Sequence, residues 1–138
     1  MNINYLSVFI ASVAQFVIGA IWYMPLFGNL WGKIHGMGKV SEVEHRRMMQ
    51  QMIPFLALQF LVTIVTTVVL AIFISNLPLL NAYVIAGLLW VGFIVPTQVA
   101  GVIFGGTPAK WILTKIAIQA GASLICLEVA AAIIRMML

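Results

Sequence analysis

Charged side chains are scarce in this chain: they make up 7% of its 138 residues, and three of them are acids. A soluble domain carries roughly 25% charged residues, so this sequence cannot cover a water-facing surface. Hydrophobic residues instead make up 64% of the chain, and the mean hydropathy is +1.15. The composition therefore predicts an integral membrane protein whose main partner is the lipid bilayer.

The chain also lacks the side chains that several kinds of site require. A single cysteine, Cys126, excludes an intrachain disulfide. So few acids offer no paired carboxylates, and we find no nucleophile–base pair or Gly-rich phosphate loop, so we expect no enzyme activity. The His and Met side chains of the first loop include no Met-x-x-Met repeat, and we expect no metal and no cofactor. No basic run exceeds Arg46-Arg47, which argues against nucleic acid as a partner.

Four apolar segments are long enough to cross a bilayer, whose hydrocarbon core of about 30 Å requires about 20 residues. Runs of this length without period-2 alternation favour helices over the strands of a β-barrel. The predicted spans are residues 4–24, 53–75, 80–104 and 109–137 of one domain, covering residues 1–138. The expected fold class is all-α, an integral membrane four-helix bundle.

The basic residues predict the orientation of this bundle. One side of the membrane receives six of them and the other side receives one, Arg135. Because Lys and Arg favour cytoplasmic loops, we expect the first loop in the cytoplasm and both termini outside. The six residues on the cytoplasmic side are Lys33, Lys39, Arg46, Arg47, Lys110 and Lys115.

The stretch WYMPLFGNLWGKIH, residues 22–35, is rich in aromatic side chains. It has two interpretations: a ligand pocket, or the place where a helix leaves the membrane. Trp22 and Tyr23 lie where an aromatic belt is expected, and Pro25 is expected to end the helix. An amphipathic helix lying at the interface is then predicted by the i, i+3, i+4, i+7 spacing of Phe27, Leu30, Trp31 and Ile34. We therefore favour a membrane exit over a pocket.

The second span is preceded by a helix-start signal. The segment Ser41-Glu42-Val43-Glu44 matches a capping box, in which the Ser and Glu side chains satisfy backbone N–H groups. A helix that starts there would contain Pro54, which would bend it unless a new helix begins at that proline.

One acid and four amides fall inside the predicted spans. An acid at the depth of Glu128 must face the bundle interior, a water-filled cavity or a partner. It would act either as a proton or cation carrier or as a structural carboxylate held by neighbouring polar groups. The amides either form hydrogen bonds that hold the helices together, or three of them, Gln15, Gln98 and Gln119, line one polar route with Glu128. The four amides are Gln15, Gln59, Gln98 and Gln119, and Gln98 closely follows the helix-breaking Pro96.

The first aromatic stretch resembles a family signature. WYMPLFGNLW, residues 22–31, is similar to the W-Y-x-P-x-x-F-G-x-x-W motif of a bacterial four-span membrane family, domain of unknown function 1761. The matching positions are Trp22, Tyr23, Pro25, Phe27, Gly28 and Trp31. GFIVPT (92–97), with Pro96, and VIFGGTPAKWIL (102–113) resemble two further blocks of that family, and MNINYLSV resembles its usual start. The resemblance implies a four-helix domain of the bacterial inner membrane and brings no assigned activity.

Two function classes follow from these features. Four amides and an acid in a 15.1 kDa chain leave little room for an enclosed pathway in one copy, so we expect a homo-oligomer. The first class is a non-enzymatic structural or partner-binding membrane module. The alternative is a small oligomeric transporter or channel, with Glu128 and the intramembrane glutamines on the path of an unidentified ion or small molecule. Small multidrug transporters rely on an acid in the first span, and no acid is present there.

Overall fold

The computed structural model describes residues 2–37 and 41–138, and within these ranges the chain is helical and forms no strand. Lys39, which enters the predicted orientation, lies outside the described residues. The helices are α1 (Tyr5–Ile21), α2 (Gly28–Ile34), α3 (Glu42–Asn76), α4 (Ala82–Leu89), α5 (Val95–Phe104) and α6 (Ile112–Met136).

Short irregular helices join some of these elements into longer ones. A π-helical segment, Trp22–Leu26, prolongs α1, and a second one, Trp90–Ile94, joins α4 to α5. A 3₁₀ turn, Ala109–Trp111, leads into α6. Four continuous helices of sufficient length and apolarity to cross a membrane result: Tyr5–Leu26, Glu42–Asn76, Ala82–Phe104 and Ala109–Met136. This confirms the predicted all-α fold with four apolar helices.

Polar side chains cap the starts of three helices. The Asn4 side chain accepts hydrogen bonds from the N–H groups of Leu6 and Ser7. The Ser41 hydroxyl accepts from the N–H of Glu44 at 3.3 Å, and the Asn81 side chain begins α4 in the same way. Each cap satisfies backbone donors that have no partner within the helix. The start of α3 at Ser41 therefore follows from its sequence pattern.

Three prolines, Pro25, Pro54 and Pro96, lie inside the continuous helices. Pro96, which was expected to break its helix, lies near the start of α5, directly after a π-helical segment. Pro25 lies in the last turn of the first helix, a π-helical turn that ends one residue later, at Leu26. There the N–H of Phe27 donates to the carbonyl of Trp22, five residues back, at 3.0 Å. The wider turn accommodates a residue that has no N–H to donate. In α3 the helix also continues through Pro54, and no new helix begins there.

The last helix lies at the centre of the bundle, because α6 contacts α1, α3, α4 and α5. Small side chains in the shared core allow the helix backbones to approach closely. Two of them, Ala130 and Ala131 of α6, are fully buried. Around them pack the buried residues Val8, Ala11, Leu70, Ala71, Ile74, Ala82, Ile85, Ala86, Leu127 and Ile134.

The two ends of the bundle differ in composition. At one end, which we call the terminal end, the Asn4 side chain donates to the carbonyl of Met137 at 2.9 Å and holds the two chain termini together. The opposite end contains α2, the turn 105–108 and the start of α6. It carries the exposed Lys33 and Lys110 together with Lys115, and we call it the basic end.

At the basic end α2 occupies the position of the predicted amphipathic helix, and its apolar stripe contacts protein. Ile34 is 6% exposed. The Phe27 ring lies 4.9 Å from the Trp22 ring, and the Trp31 ring lies 4.8 Å from the Tyr23 ring. The aromatic stretch thus packs largely on itself.

Helix α3 extends well beyond its neighbours. Its 35 residues span about 52 Å at 1.5 Å per residue, more than the roughly 30 Å of a hydrocarbon core. Residues 42–59 are exposed with the exception of the half-buried Met49, whereas Thr67, Leu70 and Ala71 are buried. The first half of α3 is therefore free of contacts with the rest of this chain that would bury it.

Candidate functional site

The polar side chains inside the spans form two separate hydrogen-bonded groups, on different sides of the bundle. The first joins α1 to α3. Gln15 is 7% exposed and Thr67 is fully buried, and the Gln15 amide donates to the Thr67 hydroxyl at 2.7 Å. The Thr67 hydroxyl in turn donates to the carbonyl of Thr63 at 2.7 Å. The Gln15 Nε2 atom and the Thr67 hydroxyl are thereby paired within the chain.

The second group joins the third span to α6. The indole Nε1 of Trp90 lies 3.0 Å from the Ala120 carbonyl and 3.1 Å from the Ser123 hydroxyl. The Ser123 hydroxyl contacts the Gln98 carbonyl oxygen at 3.3 Å, and the Gln98 amide donates to the Gln119 carbonyl at 3.5 Å. Gln98 and Gln119 are thus brought together, although Gln119 contributes its backbone and not its side chain.

The first span reaches the same part of α6 through another indole. Trp22 Nε1 donates to the carbonyl of Ile118 at 3.0 Å, two residues before the carbonyl that Trp90 contacts. Each of these tryptophans begins a π-helical segment. The two spans therefore hold α6 by equivalent contacts, a relationship that the aromatic-belt interpretation of Trp22 did not predict.

Glu128 lies on α6 against α4 and is half-buried. Gly87 faces it: a Cβ atom at that glycine would lie 3.8 Å from the Glu128 Oε1 atom. Across residues 2–37 and 41–138, the carboxylate has no hydrogen-bond partner. Gln15 and Gln98 belong to other groups, so the structure does not assemble a single polar network of Glu128 with the glutamines.

Gln59 differs from the other three glutamines. Gln59 is exposed on the first half of α3, and its backbone carbonyl accepts a hydrogen bond from the Thr63 hydroxyl at 2.8 Å. Its side-chain amide makes no hydrogen bond to any other described part of the chain. An amide that faces outward within a predicted span is unusual, because hydrocarbon offers it no partner.

A polar cluster at the basic end was missed by the sequence analysis. The Lys115 Nζ atom lies 3.1 Å from His35 Nε2 and 5.5 Å from the centre of the Trp31 ring. His35 and Lys115 are 80 positions apart in the chain. No local spacing connects residues this distant, although the Lys at the start of α6 signals a charge near the interface.

These polar groups form hydrogen bonds between neighbouring helices. The Gln15 amide is paired with the Thr67 hydroxyl and the Gln98 side chain with α6, whereas the buried Ser75 hydroxyl has no partner among the described residues. The Cys126 thiol donates to the backbone carbonyl of Gln15 at 3.6 Å. Hydrogen bonds of this kind contribute about 0.6 kcal/mol each in membrane proteins, with a maximum near 1.7. The Gln15–Thr67 group fixes which faces of α1 and α3 meet, and the group around Ser123 does the same for the third span and α6.

A family model described as Protein of unknown function (DUF1761) matches residues 6–135. No match was found among curated proteins or among solved structures. The matched region includes the aromatic stretch, both π-helical segments and the polar groups described above. The chain belongs to the DUF1761 family.

Proposed function

We propose that the protein is a non-enzymatic structural module of the membrane that assembles with copies of itself through the exposed half of α3. One observation carries this proposal: the Gln59 amide faces outward from an apolar helix and has no partner within the described chain. Its surroundings are exposed and apolar, as shown by Phe55, Leu56 and Val62.

The position of Gln59 makes its exposure costly in a single copy. It lies six residues beyond Ile53, the predicted start of the span, or about 9 Å at 1.5 Å per residue. Transfer of an amide into an apolar medium without a hydrogen bond costs several kcal/mol. A partner that supplies a polar group at the same depth would remove most of that cost.

A second copy of the chain is the partner that meets this requirement most directly. Two copies inserted in the same orientation place their Gln59 residues at equal depth. A side-chain amide carries both a donor and an acceptor, so two such amides can pair across a two-fold axis along the membrane normal. An interface of this kind is self-complementary, as two-fold interfaces are.

The hydrogen bonds of the Gln15 and Gln98 side chains support a structural role for the intramembrane amides. Gln15 is satisfied by Thr67, and Gln98 is satisfied by Ser123 and the backbone of α6. These groups lie at different helix interfaces, so they specify how the bundle packs. The Gln119 side chain also has no hydrogen-bond partner among the described residues, but it is half-buried, whereas Gln59 is exposed. Gln59 is therefore the amide that is accessible to another bundle.

Self-association is tested with purified protein in liposomes, by energy transfer between donor-labelled and acceptor-labelled copies across a range of protein-to-lipid ratios. We expect concentration-dependent transfer in the wild type. The Gln59→Leu variant should associate about threefold to tenfold more weakly, as loss of one interhelical hydrogen bond implies.

The matched control is Gln15→Leu, which makes the same substitution at an amide that is paired within the chain. This variant should lose stability and keep the wild-type affinity between copies. A wild type that stays monomeric at every lipid ratio contradicts the proposal, and so does equal weakening by both variants.

A second candidate function is a small oligomeric transporter or channel, and Glu128 favours it. The carboxylate is half-buried beside Gly87 and has no partner among the described residues. Acids inside membrane spans often carry protons or ions. Proteoliposomes with an imposed proton gradient should then show a flux that Glu128→Gln abolishes and Glu44→Gln, outside the predicted spans, leaves intact. The absence of flux in the wild type would exclude this function.

We further propose that the protein lies in a bacterial inner membrane with its basic end in the cytoplasm. Lys33, Lys110 and Lys115 at that end support this orientation, since basic residues favour the cytoplasmic side. In a Cys126→Ser background, Leu138→Cys should react with an impermeant thiol reagent applied to intact cells, whereas Lys33→Cys should react after lysis only. The reverse pattern would overturn the orientation.

A further inference from the structure

An open cavity of about 220 Å³ lies at the basic end, between α2 and the turn that leads into α6. Its lining includes His35, Thr107, Lys115 and the glycines Gly105 and Gly106. The lining residues come from the end of α2 and from the turn that follows α5, which ends the third span at Phe104, so the cavity lies where that span ends. Neither the helix packing nor the exposed face of α3 explains this combination of groups.

The Lys115 ammonium is held in place without being neutralised. His35 Nδ1 lies 2.8 Å from the Trp31 carbonyl oxygen, which can accept only, so that ring nitrogen carries a proton. Nε2 can then accept a hydrogen bond from Lys115, whose Nζ lies 3.1 Å away. An ammonium has three N–H donors, and two of them remain available at the cavity.

The Trp31 ring supports the same arrangement. Its centre lies 5.5 Å from Lys115 Nζ, a cation–π distance, and 4.5 Å from the centre of the His35 ring. Neither ring carries a negative charge, so the two rings orient the ammonium and leave its positive charge uncompensated. Within residues 2–37 and 41–138, no carboxylate forms an ion pair with Lys115.

The turn between α5 and α6 contributes a residue with a hydroxyl group to the cavity lining. The Thr107 oxygen is buried and has no hydrogen-bond partner among the described residues. Buried polar groups in folded proteins are nearly always paired. The oxygen is closed to solvent in this conformation, and no hydrogen bond holds it there. Because Thr107 lines the cavity, a rotation about its χ1 angle would let the hydroxyl donate to or accept from a ligand oxygen.

The two glycines of this turn, Gly105 and Gly106, add no side chains to the cavity lining. A Cβ atom at Gly105 would collide with the Gly101 carbonyl, and Gly106 has a φ of +77°, in the left-handed region. The left-handed region strongly favours glycine. The turn therefore presents bare backbone to the cavity, and a ligand can approach it closely.

We propose that this cavity binds a phosphate group, with Lys115 supplying the charge and Thr107 a hydrogen bond. A cation that retains free N–H donors beside a hydroxyl is matched by an oxyanion with several acceptors. Basic pockets between helix ends at the membrane surface bind the headgroups of anionic phospholipids, and the same groups would accept free phosphate. This site is independent of the self-association proposed above.

Binding is measured on the full-length protein in two arms. In the first, protein in nanodiscs of phosphatidylcholine with or without phosphatidylglycerol is analysed by native mass spectrometry for retained phosphatidylglycerol. In the second, inorganic phosphate is titrated into protein in phosphatidylcholine nanodiscs, with indole fluorescence as the readout, because Trp31 borders Lys115.

The wild type should retain phosphatidylglycerol, and Lys115→Gln should weaken its binding about fivefold or more, the effect of one basic residue at a lipid surface. Thr107→Val keeps the net charge and should also weaken binding. The matched control is Lys110→Gln, since Lys110 lies 5.7 Å from the centre of the Trp111 ring and does not line the cavity. This control should bind as the wild type does.

The two arms also identify the source of the phosphate group. Retained phosphatidylglycerol without a response to inorganic phosphate assigns the site to a lipid headgroup, and the reverse result assigns it to a soluble anion. The proposal is overturned if neither probe binds, or if Lys110→Gln weakens binding as much as Lys115→Gln does. Circular dichroism and gel filtration of each variant verify that it is folded.

Discussion

Gly121 of α6 lies directly against the Trp22 indole: a Cβ atom at position 121 would be 3.0 Å from the Trp22 Cζ2 atom. The ring cannot easily withdraw, because its Nε1 donates to the Ile118 carbonyl and its face contacts Phe27. The first span therefore depends on a glycine in the last one. This relationship can be tested by adding a single methyl group.

Gly121→Ala should destabilise the protein. Insertion of a methyl group into a packed contact costs about 1–3 kcal/mol, which exceeds the gain of about 1 kcal/mol from replacing glycine in a helix. The control is Gly101→Ala in α5, where a Cβ atom meets nothing within 4 Å, and which should be neutral or stabilising. Thermal unfolding in detergent compares the two, and equal melting temperatures would contradict the contact.

Gln15 and Thr67 should show an energetic coupling. Their hydrogen bond is buried, so a double-mutant cycle of Gln15→Leu and Thr67→Val should give a coupling of about 0.6–1.7 kcal/mol. The measurement is the free energy of unfolding of the four proteins in mixed micelles. Thr66→Val is the control, because its hydroxyl bonds to the carbonyl of Val62 in its own helix. The coupling energy between Thr66→Val and Gln15→Leu should be less than half of that between Thr67→Val and Gln15→Leu.

The two indole donors should contribute comparably to stability. Trp22→Phe and Trp90→Phe each keep an aromatic ring and remove one N–H. Each should lower the free energy of unfolding by about 0.6–2 kcal/mol. Trp111→Phe serves as the control, since no hydrogen bond of the Trp111 indole occurs within the described structure. If Trp111→Phe lowers the free energy of unfolding as much as the other two substitutions do, the loss comes from the smaller ring and not from the missing N–H.

Glu128→Gln should leave the stability unchanged or raise it by up to about 1 kcal/mol. The carboxylate is half-buried without a partner among the described residues, and an amide of the same shape avoids the cost of removing a charge from water. The free energy of unfolding in bicelles at neutral pH tests this expectation. A loss above about 2 kcal/mol would instead show that a partner or bound ion compensates the charge.

The four helices and one of their caps could be predicted from local sequence. Hydrocarbon permits no unsatisfied backbone, so each apolar run of span length forms a helix, and Ser41 begins α3 as its capping pattern indicates. The path through Pro25 could not be predicted in the same way. A proline signals a disturbed helix, but whether the helix ends or widens depends on what the following aromatic residues pack against.

The pairing of side chains between spans could not be predicted at all. Gln15 has no sequence feature that distinguishes it from Gln59, yet one is buried against Thr67 and the other is exposed. Helix rotation and depth decide this difference, and both are set by the whole bundle. The contact between His35 and Lys115 has the same origin, since it depends on how the end of α2 is placed against the start of α6.

The central position of α6 has a consequence for synthesis. Residues that depend on it are made early: Trp22 precedes its acceptor Ile118 by 96 positions, and Trp90 precedes Ala120 by 30. As the ribosome releases the chain, the first three spans enter the lipid with these donors still unpaired. These hydrogen bonds can form only after α6 has also been inserted, so the packing of the first three spans is completed after their own insertion.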